Sequence, residues 1–203
     1  MAAGDTKLSI CSDAMIMLGA SPISSFAEET DAAKTADRLY DNVRDVLLQQ
    51  YEWSWSLKKV KLARLASAPT NEWKYAYALP GDLLGVPRAV FNSSAVGNRP
   101  VRDWELYGTS LYCNYEDVWI DYQYSVAEGL MPAYFVRVLK AALASVFSIP
   151  VADSSGKADF FHAMAYGPPG ENMRGGLMRV AMNIDGGKPP QAIEDFALIA
   201  VRG

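Results

Sequence analysis

The spacing of apolar residues changes twice along this chain, near residue 51 and again near residue 131. Outside these points apolar side chains recur every three or four positions, as on a helix, whereas between them they alternate as on a strand. The sequence therefore predicts an α+β fold with an inserted antiparallel β-rich subdomain and an extended C-terminal tail. The predicted parts are a helical bundle domain from residues 1–50 plus 132–184, the β-rich subdomain at 51–131, and a C-terminal extension contacting neighbours at 185–203.

Capping residues mark where the predicted helices begin and end. Asp5 or Thr6 caps a first helix that begins near Lys7, and Gly19 ends it. Thr30 or Asp31 opens a second helix, which runs to about residue 50 with Ala36, Leu39, Tyr40, Val43, Val46 and Leu47 as its apolar stripe. Three more helices are predicted at 132–150, 155–165 and 171–183.

The inserted stretch reads as a set of short strands. Tyr51, Trp53 and Trp55 alternate with polar residues, which predicts a strand that begins at once after the second helix. Further on, SLYCNY and VWIDYQYSV are predicted to form a hairpin around Glu116-Asp117, with Val118 and Ile120 on its apolar face.

Charge and cysteine content narrow the class of protein. The 203 residues carry a formal charge of −4 with a pI near 5.0, which argues against binding nucleic acid by bulk electrostatics. Cys11 and Cys113 are expected to be buried thiols in a reducing compartment. The N-terminus lacks the pattern of a signal peptide, and no uninterrupted apolar run is long enough to span a membrane, so an origin in the cytoplasm is expected.

No set of residues has the spacing of a catalytic or metal site. His162 is the single histidine and lies beside Phe160 and Phe161, so we expect a packed or surface residue rather than a base. Glycine pairs at 175–176 and 186–187 lack the lysine of a phosphate loop and are read as turns. We expect no enzyme, no cofactor and no metal.

The tryptophans at 53 and 55 precede a basic run at 58–64, a combination compatible with a nucleic-acid groove, a sugar platform, a membrane-surface helix or a chain that crosses between two layers of a fold. Spacing by two excludes an amphipathic membrane helix. On a strand, Trp53 and Trp55 share a face that excludes Lys58, which disfavours stacking on nucleic acid. We expect both rings to be buried where the helices meet the sheet.

The last residues are unusually apolar for a chain terminus. They follow a Gly-Gly-Lys-Pro-Pro segment, and an exposed tail of this kind would favour aggregation of a monomer. The tail therefore either folds back on its own core or lies on a neighbouring subunit. Its apolar residues are Ile193, Phe196, Ala197, Leu198, Ile199 and Val201.

Several ordered segments, over about residues 5–165, resemble the phage tail tubular protein A family, the head-to-tail adaptors of short-tailed phages. The segments are Leu18-Gly19 with Pro22-Ile23-Ser24-Ser25, then Val46-Leu47 with Trp53 and Trp55, then YAYALPGD at 75–82. VWIDYQY followed by MPAYFVRVLKAALASVFSIP also resembles the family, in which a last strand is followed by a proline and a long apolar helix. Residues 166–203 match no pattern of the family.

The resemblance implies a structural virion protein. Such adaptors form a homo-oligomeric ring, typically a dodecamer, between the portal protein and the tail nozzle protein, and DNA passes through the ring without sequence-specific binding. The helical part is implied to face the portal and the β part the tail. An acidic ring suits this role, because like charge discourages adhesion of DNA to the wall.

Candidate residues for contacts between subunits or with the portal come from the basic run, the inserted stretch and the tail. An alternative function is a carbohydrate-binding module, in which exposed Trp104 or Trp119 stacks on sugar rings; a small enzyme is a third, with no supporting residues. The interface candidates are Lys59, Lys61, Trp104, Trp119, Ile193, Phe196, Leu198, Ile199 and Val201.

Overall fold

The computed structural model describes residues 5–187, and their fold is α+β. Helices from both ends of the described part pack around one central helix, and two antiparallel sheets lie in the region between them in sequence. The helices are α1 (Lys7–Leu18), α2 (Asp31–Gln49), α3 (Ala133–Ala152), α4 (Ser155–Tyr166) and α5 (Gly176–Gly186). The strands are β1 (Leu57–Lys61), β2 (Ala63–Arg64), β3 (Tyr75–Ala78), β4 (Ala89–Phe91), β5 (Trp104–Tyr107), β6 (Ser110–Cys113) and β7 (Trp119–Gln123).

The predicted ends of the first two helices are confirmed. The Thr6 hydroxyl accepts a hydrogen bond from the backbone N–H of Ser9 in a capping box, and Gly19 ends α1 in the left-handed conformation with φ of 75°. Thr30 caps α2 through the N–H of Ala33. These caps satisfy backbone groups that a helix end would otherwise leave without partners.

The central helix α3 contacts each of the other four helices in the described part. It is long and apolar enough to pass a length-and-composition test for a membrane span, with a mean hydropathy of 1.7, but 61% of that stretch is buried inside the fold, as in a core helix. α3 passes Pro150, its predicted end, and stops at Ala152. A proline near the end of a helix removes one backbone hydrogen bond, and the left-handed Asp153 then closes the helix.

The strands form a three-stranded sheet of order β1-β7-β4 and a four-stranded sheet of order β2-β3-β6-β5. Every pairing is antiparallel. The apolar residues of the strands form their own cluster, separate from the cluster that the helices enclose. This cluster includes the predicted apolar face with Val118 and Ile120.

Two strand predictions were wrong. Residues 51–56 are not a strand, because Ser54–Ser56 form a 3-10 turn and β1 begins only at Leu57. β6 and β7 do not form a hairpin either, since they belong to different sheets. The hairpin is instead β5–β6, which turns at Gly108 with φ of 59°.

The fifth helix also differs from its prediction. It begins at Gly176 rather than near residue 171, because Pro169–Glu171 form a 3-10 turn and Gly176 adopts a φ of 50° that favours glycine. An added Cβ at Gly176 would lie 2.5 Å from the carbonyl oxygen of Met164. The glycine pair at 175–176 is therefore a tight turn, as predicted.

One side chain joins the two regions. Gln123, at the end of β7, offers the two N–H donors of Nε2 to three acceptors, which are the carbonyl oxygens of Leu48 at 2.6 Å and Tyr51 at 2.9 Å and the hydroxyl of Ser56 at 3.0 Å. Trp53 lies beside this junction, fully buried, and its indole N–H donates to the carbonyl of Leu47. The predicted burial is thus confirmed for Trp53, whereas Trp55 is only partly buried, and a turn rather than a strand places both rings.

Candidate interaction surfaces

The three lysines at 58, 59 and 61 are held by contacts within the same chain. Each ammonium group lies near one carboxylate and over one aromatic ring, which is the geometry of an ion pair combined with a cation–π contact. The nitrogen-to-carboxylate distances are 2.8 Å for Lys58–Asp82, 3.6 Å for Lys59–Asp121 and 2.7 Å for Lys61–Asp117. The rings are Tyr124 at 3.5 Å, Phe91 at 3.5 Å and Trp119 at 5.0 Å, respectively.

This arrangement follows from the register of the three-stranded sheet. Lys59 is paired with Asp121 and Lys61 with Trp119 across β1 and β7, while Phe91 of β4 is paired with Trp119 on the other side. Lysines along an edge strand also discourage another chain from adding to the sheet. Lys59 and Lys61 are candidates from the sequence for contacts with a neighbouring subunit, and in the described part their acidic partners, Asp121 and Asp117, come from the chain itself.

Asp82 connects this lysine row to the buried side of the sheet. Its carboxylate accepts from Lys58 and, at 2.9 Å, from the hydroxyl of Tyr122. The hydrogen bond from Lys58 is the main cause that lowers the pKa of Asp82, while burial is the main cause that raises the pKa of Tyr122 to about 12. Asp82 therefore acts as a structural acceptor at neutral pH.

Trp104 and Trp119 are both half-buried. The indole N–H of Trp104 donates to the carbonyl of Val101 at 3.2 Å, and its ring packs against the strand cluster. The Lys61 ammonium covers the ring of Trp119. Both rings are thus occupied by contacts within the chain, and no contact specifically favours their use as sugar platforms.

The helical region exposes apolar side chains on all five helices. Single exposed apolar residues are ordinary, but several together indicate a surface that contacts another protein. The largest exposed apolar side chains on the helices are Ile16, Met17, Val46, Val146, Ile149, Phe160, Val180 and Ile184.

One apolar depression runs between α2, α3 and α4, and we call it the α2 groove. It has a volume of about 210 Å³. Three of its side chains are substantially exposed, namely Val46 (45%), Val146 (40%) and Met173 (39%). Its apolar lining is Val43, Val46, Ala142, Val146, Tyr166 and Met173.

A second, more polar depression of about 500 Å³ lies where the helices meet the sheets, and we call it the junction pocket. Its lining residues come from the end of α2 and the turn after it, from the segments just before β4 and just before α5, and from the end of α5. Asp185 is fixed there by the hydroxyl groups of Ser54 at 2.7 Å and Tyr134 at 2.8 Å. The lining includes Gln49, Gln50, Glu52, Arg88, Arg174 and Gly186.

The remaining candidate residues bring no reactive group together. His162 is exposed, with its ring 5.1 Å from that of Tyr166, and Cys11 and Cys113 are buried free thiols, as expected from the sequence. Within residues 5–187 no cluster of three or more His, Cys, Asp or Glu side chains could hold a metal ion. The tail candidates Ile193, Phe196, Leu198, Ile199 and Val201 lie outside the described residues.

The α2 groove was missed by sequence reasoning. The apolar stripe predicted for α2 includes Val46, but the stripe is wider than the surface that α3 covers, so Val46 stays exposed. A signal was present, because six apolar positions on one helix form a broad face that a single neighbouring helix does not cover.

Comparison of the sequence with models of known protein families finds no match, and comparison with curated proteins finds none either.

Proposed function

We propose that this chain is a structural virion protein without enzymatic activity, a head-to-tail adaptor. Its copies would form a ring, dodecameric as the resemblance implies, between the portal protein and the tail nozzle protein, assembled in the host cytoplasm. DNA would pass through the ring without sequence-specific binding. The net charge of −4 is compatible with such a channel.

The observation that carries this proposal is the apolar surface of the helical region. Val146 and Ile149 at the end of α3, together with Val46 on α2, leave apolar area in water although their helices enclose a well-filled core. Exposed apolar surface of this kind is typical of chains that assemble. This is also the region that the resemblance directs toward the portal.

The residues behind the resemblance support a scaffold role. Gly19 ends α1, Trp53 fills the centre of the helical core, and Asp82 holds Lys58 and Tyr122. Each of these residues holds two neighbouring parts of the fold together, and none of them lines a cleft that contains reactive side chains. Residues with such structural roles are what members of a family of structural subunits would have in common.

The proposal predicts that purified full-length chain mixed with purified portal protein forms rings visible by negative-stain electron microscopy. Ile149→Asp is expected to abolish these rings, because a charge in an apolar interface loses its hydration without gaining a partner. Ile149 is 60% exposed in the last turn of α3, so the variant should lose no more than a few degrees of thermal midpoint, the cost of an acidic side chain near a helix C-terminus. Val96→Asp, in a fully exposed loop between β4 and β5, is the matched control and should form rings normally.

A wild-type chain that neither forms rings nor co-sediments with portal at any ratio would refute the adaptor function. Rings that form equally well with Ile149→Asp would instead place the contact elsewhere on the chain.

A further inference from the structure

The α2 groove and the junction pocket adjoin each other at the end of α2. Gln50 lines the junction pocket, Met173 lines the α2 groove, and the Nε2 atom of Gln50 lies 3.9 Å from the sulfur of Met173. Val43, Val46 and Gln50 follow one another at spacings of three and four, so they lie on one face of the helix. The two depressions are therefore neighbours along this face of α2, and together we call them the path, which is polar at the junction and apolar beyond Met173.

The chain reaches this path where the described part ends. Gly186 is the last residue of α5 and lines the junction pocket. From residue 187 to Phe196 an extended chain spans at most about 30 Å, whereas Gln50 and Val46 are separated by only about 6 Å along the helix. The apolar end of the chain is thus long enough to reach the groove of its own subunit.

The chemistry of that segment changes in the same order as the path. Glu194 and Asp195 come first and are followed by Phe196, Leu198 and Ile199. Along the path, Arg174 comes first, at the junction, where the nearby Asp185 carboxylate is already engaged by the hydroxyls of Ser54 and Tyr134, and the apolar side chains follow. Within residues 5–187 no carboxylate lies within ion-pair distance of Arg174, whereas Arg88 is paired with Glu52 at 2.8 Å.

We propose that residues 193–201 bind along this path in their own subunit. Glu194 and Asp195 lie against Arg174, and the apolar residues from Phe196 to Val201 cover Val46, Val146 and Met173. The free subunit thereby protects the part of its apolar surface that would otherwise promote aggregation. This inference does not depend on the adaptor function, because it concerns the isolated chain. In a ring, neighbouring subunits present the same groove, so the same contacts could be exchanged between them.

Disulfide trapping in the full-length chain tests the proposal. Val46→Cys combined with Phe196→Cys should oxidise to an intramolecular disulfide, seen as a faster-migrating monomer on a non-reducing gel and identified by peptide mass. The native thiols should not interfere, because Cys11 and Cys113 are buried and burial raises the pKa of Cys11 to about 12. The control pair is Ile16→Cys with Phe196→Cys, since Ile16 is similarly exposed but lies on α1.

The groove pair should cross-link at least about tenfold faster than the control pair, because a bound segment holds its thiol at a high effective concentration. Equal rates for the two pairs would overturn the proposal, and so would covalent dimers as the main product. Arg174→Glu in the groove-pair background should slow trapping several-fold, whereas Arg102→Glu, at an exposed position just before β5, should not. An unchanged rate for Arg174→Glu would overturn the assigned contact with Glu194 and Asp195.

Discussion

The regular elements of the helical region and of the strand region differ in the side chains that they present to water. The helices enclose a large core around α3 but leave apolar residues such as Val46 and Ile149 in water. The strands enclose a small core, and the lysines on the face of the three-stranded sheet are fixed by ion pairs and cation–π contacts within the chain, whereas exposed apolar residues such as Val86 and Val96 lie in the loops between strands. Stability and capacity for association therefore need not come from the same region.

The tryptophans illustrate this difference. Trp53 is completely buried among helices and packs edge-on against Phe135 with ring centroids 5.1 Å apart. Trp119 lies half-exposed on a sheet face under the Lys61 ammonium. The first ring contributes mainly to folding, whereas the second organises a surface.

The largest predicted difference between the two regions is the loss of stability when each of these tryptophans is removed. Trp53→Ala should lower the free energy of unfolding by about 3–5 kcal/mol, because it leaves a cavity in the helical core. Trp119→Ala, the control on the strand side, should cost no more than about 1 kcal/mol. Urea denaturation followed by circular dichroism measures both values. Similar losses for the two variants would contradict the division between a folding ring and a surface ring.

A smaller effect on stability is expected from Gln123, whose side chain connects the helical region to the strand region. Gln123→Leu removes the donor that serves the carbonyls of Leu48 and Tyr51, which should cost about 1–3 kcal/mol. Because those bonds join helices to sheet, denaturation of the variant should separate into two transitions when circular dichroism and tryptophan fluorescence are compared. Gln49→Leu, at an exposed position of α2, is the control and should unfold like the wild type. Coincident, unshifted transitions for Gln123→Leu would show that this side chain does not couple the regions.

The smallest effect concerns the polar surface of the strand region. Because the folded pKa of Asp82 is lowered, mainly by Lys58, its contribution is complete above the unfolded pKa and is lost as the pH falls through the folded pKa. Asp82→Asn should therefore cost less than about 1 kcal/mol at pH 7. The difference from the wild type should shrink as the pH falls below about 3.9. Thermal unfolding across that range measures it, and a difference that grows in acid would contradict the assigned sign.

The sequence predicted the helical region well, because local signals determine it. Thr6, Gly19 and Thr30 act within a few residues of the helix ends that they define, so a reader of the sequence can identify them. The α+β class and the burial of Trp53 also followed from the pattern. The lysine contacts did not, because Asp121 and Phe91 become neighbours of Lys59 only through strand pairing that no local signal specifies.

The strand errors have a similar physical cause. Alternation between residues 51 and 57 matched a strand, but the packing of Trp53 and Trp55 on Phe135 of α3 imposes a turn. Adjacent strand-like segments predicted a β6–β7 hairpin, but the chain changes sheets between them. The hydroxyl of Tyr77 fixes the chain between these two strands, because its proton is shared between the carbonyl oxygens of Tyr115 and Glu116. Such long-range contacts cannot be read from spacing.

The pairing of β1 with β7 has a consequence for how the chain folds. These strands stand at opposite ends of the inserted region, yet Leu57 and Gln123 face each other across the sheet. Closing so long a loop costs conformational entropy before the pairing returns any stability, and non-local pairings of this kind slow folding. The β5–β6 hairpin closes only a short loop, so we expect it to form before the three-stranded sheet, which must wait for β7 to reach β1.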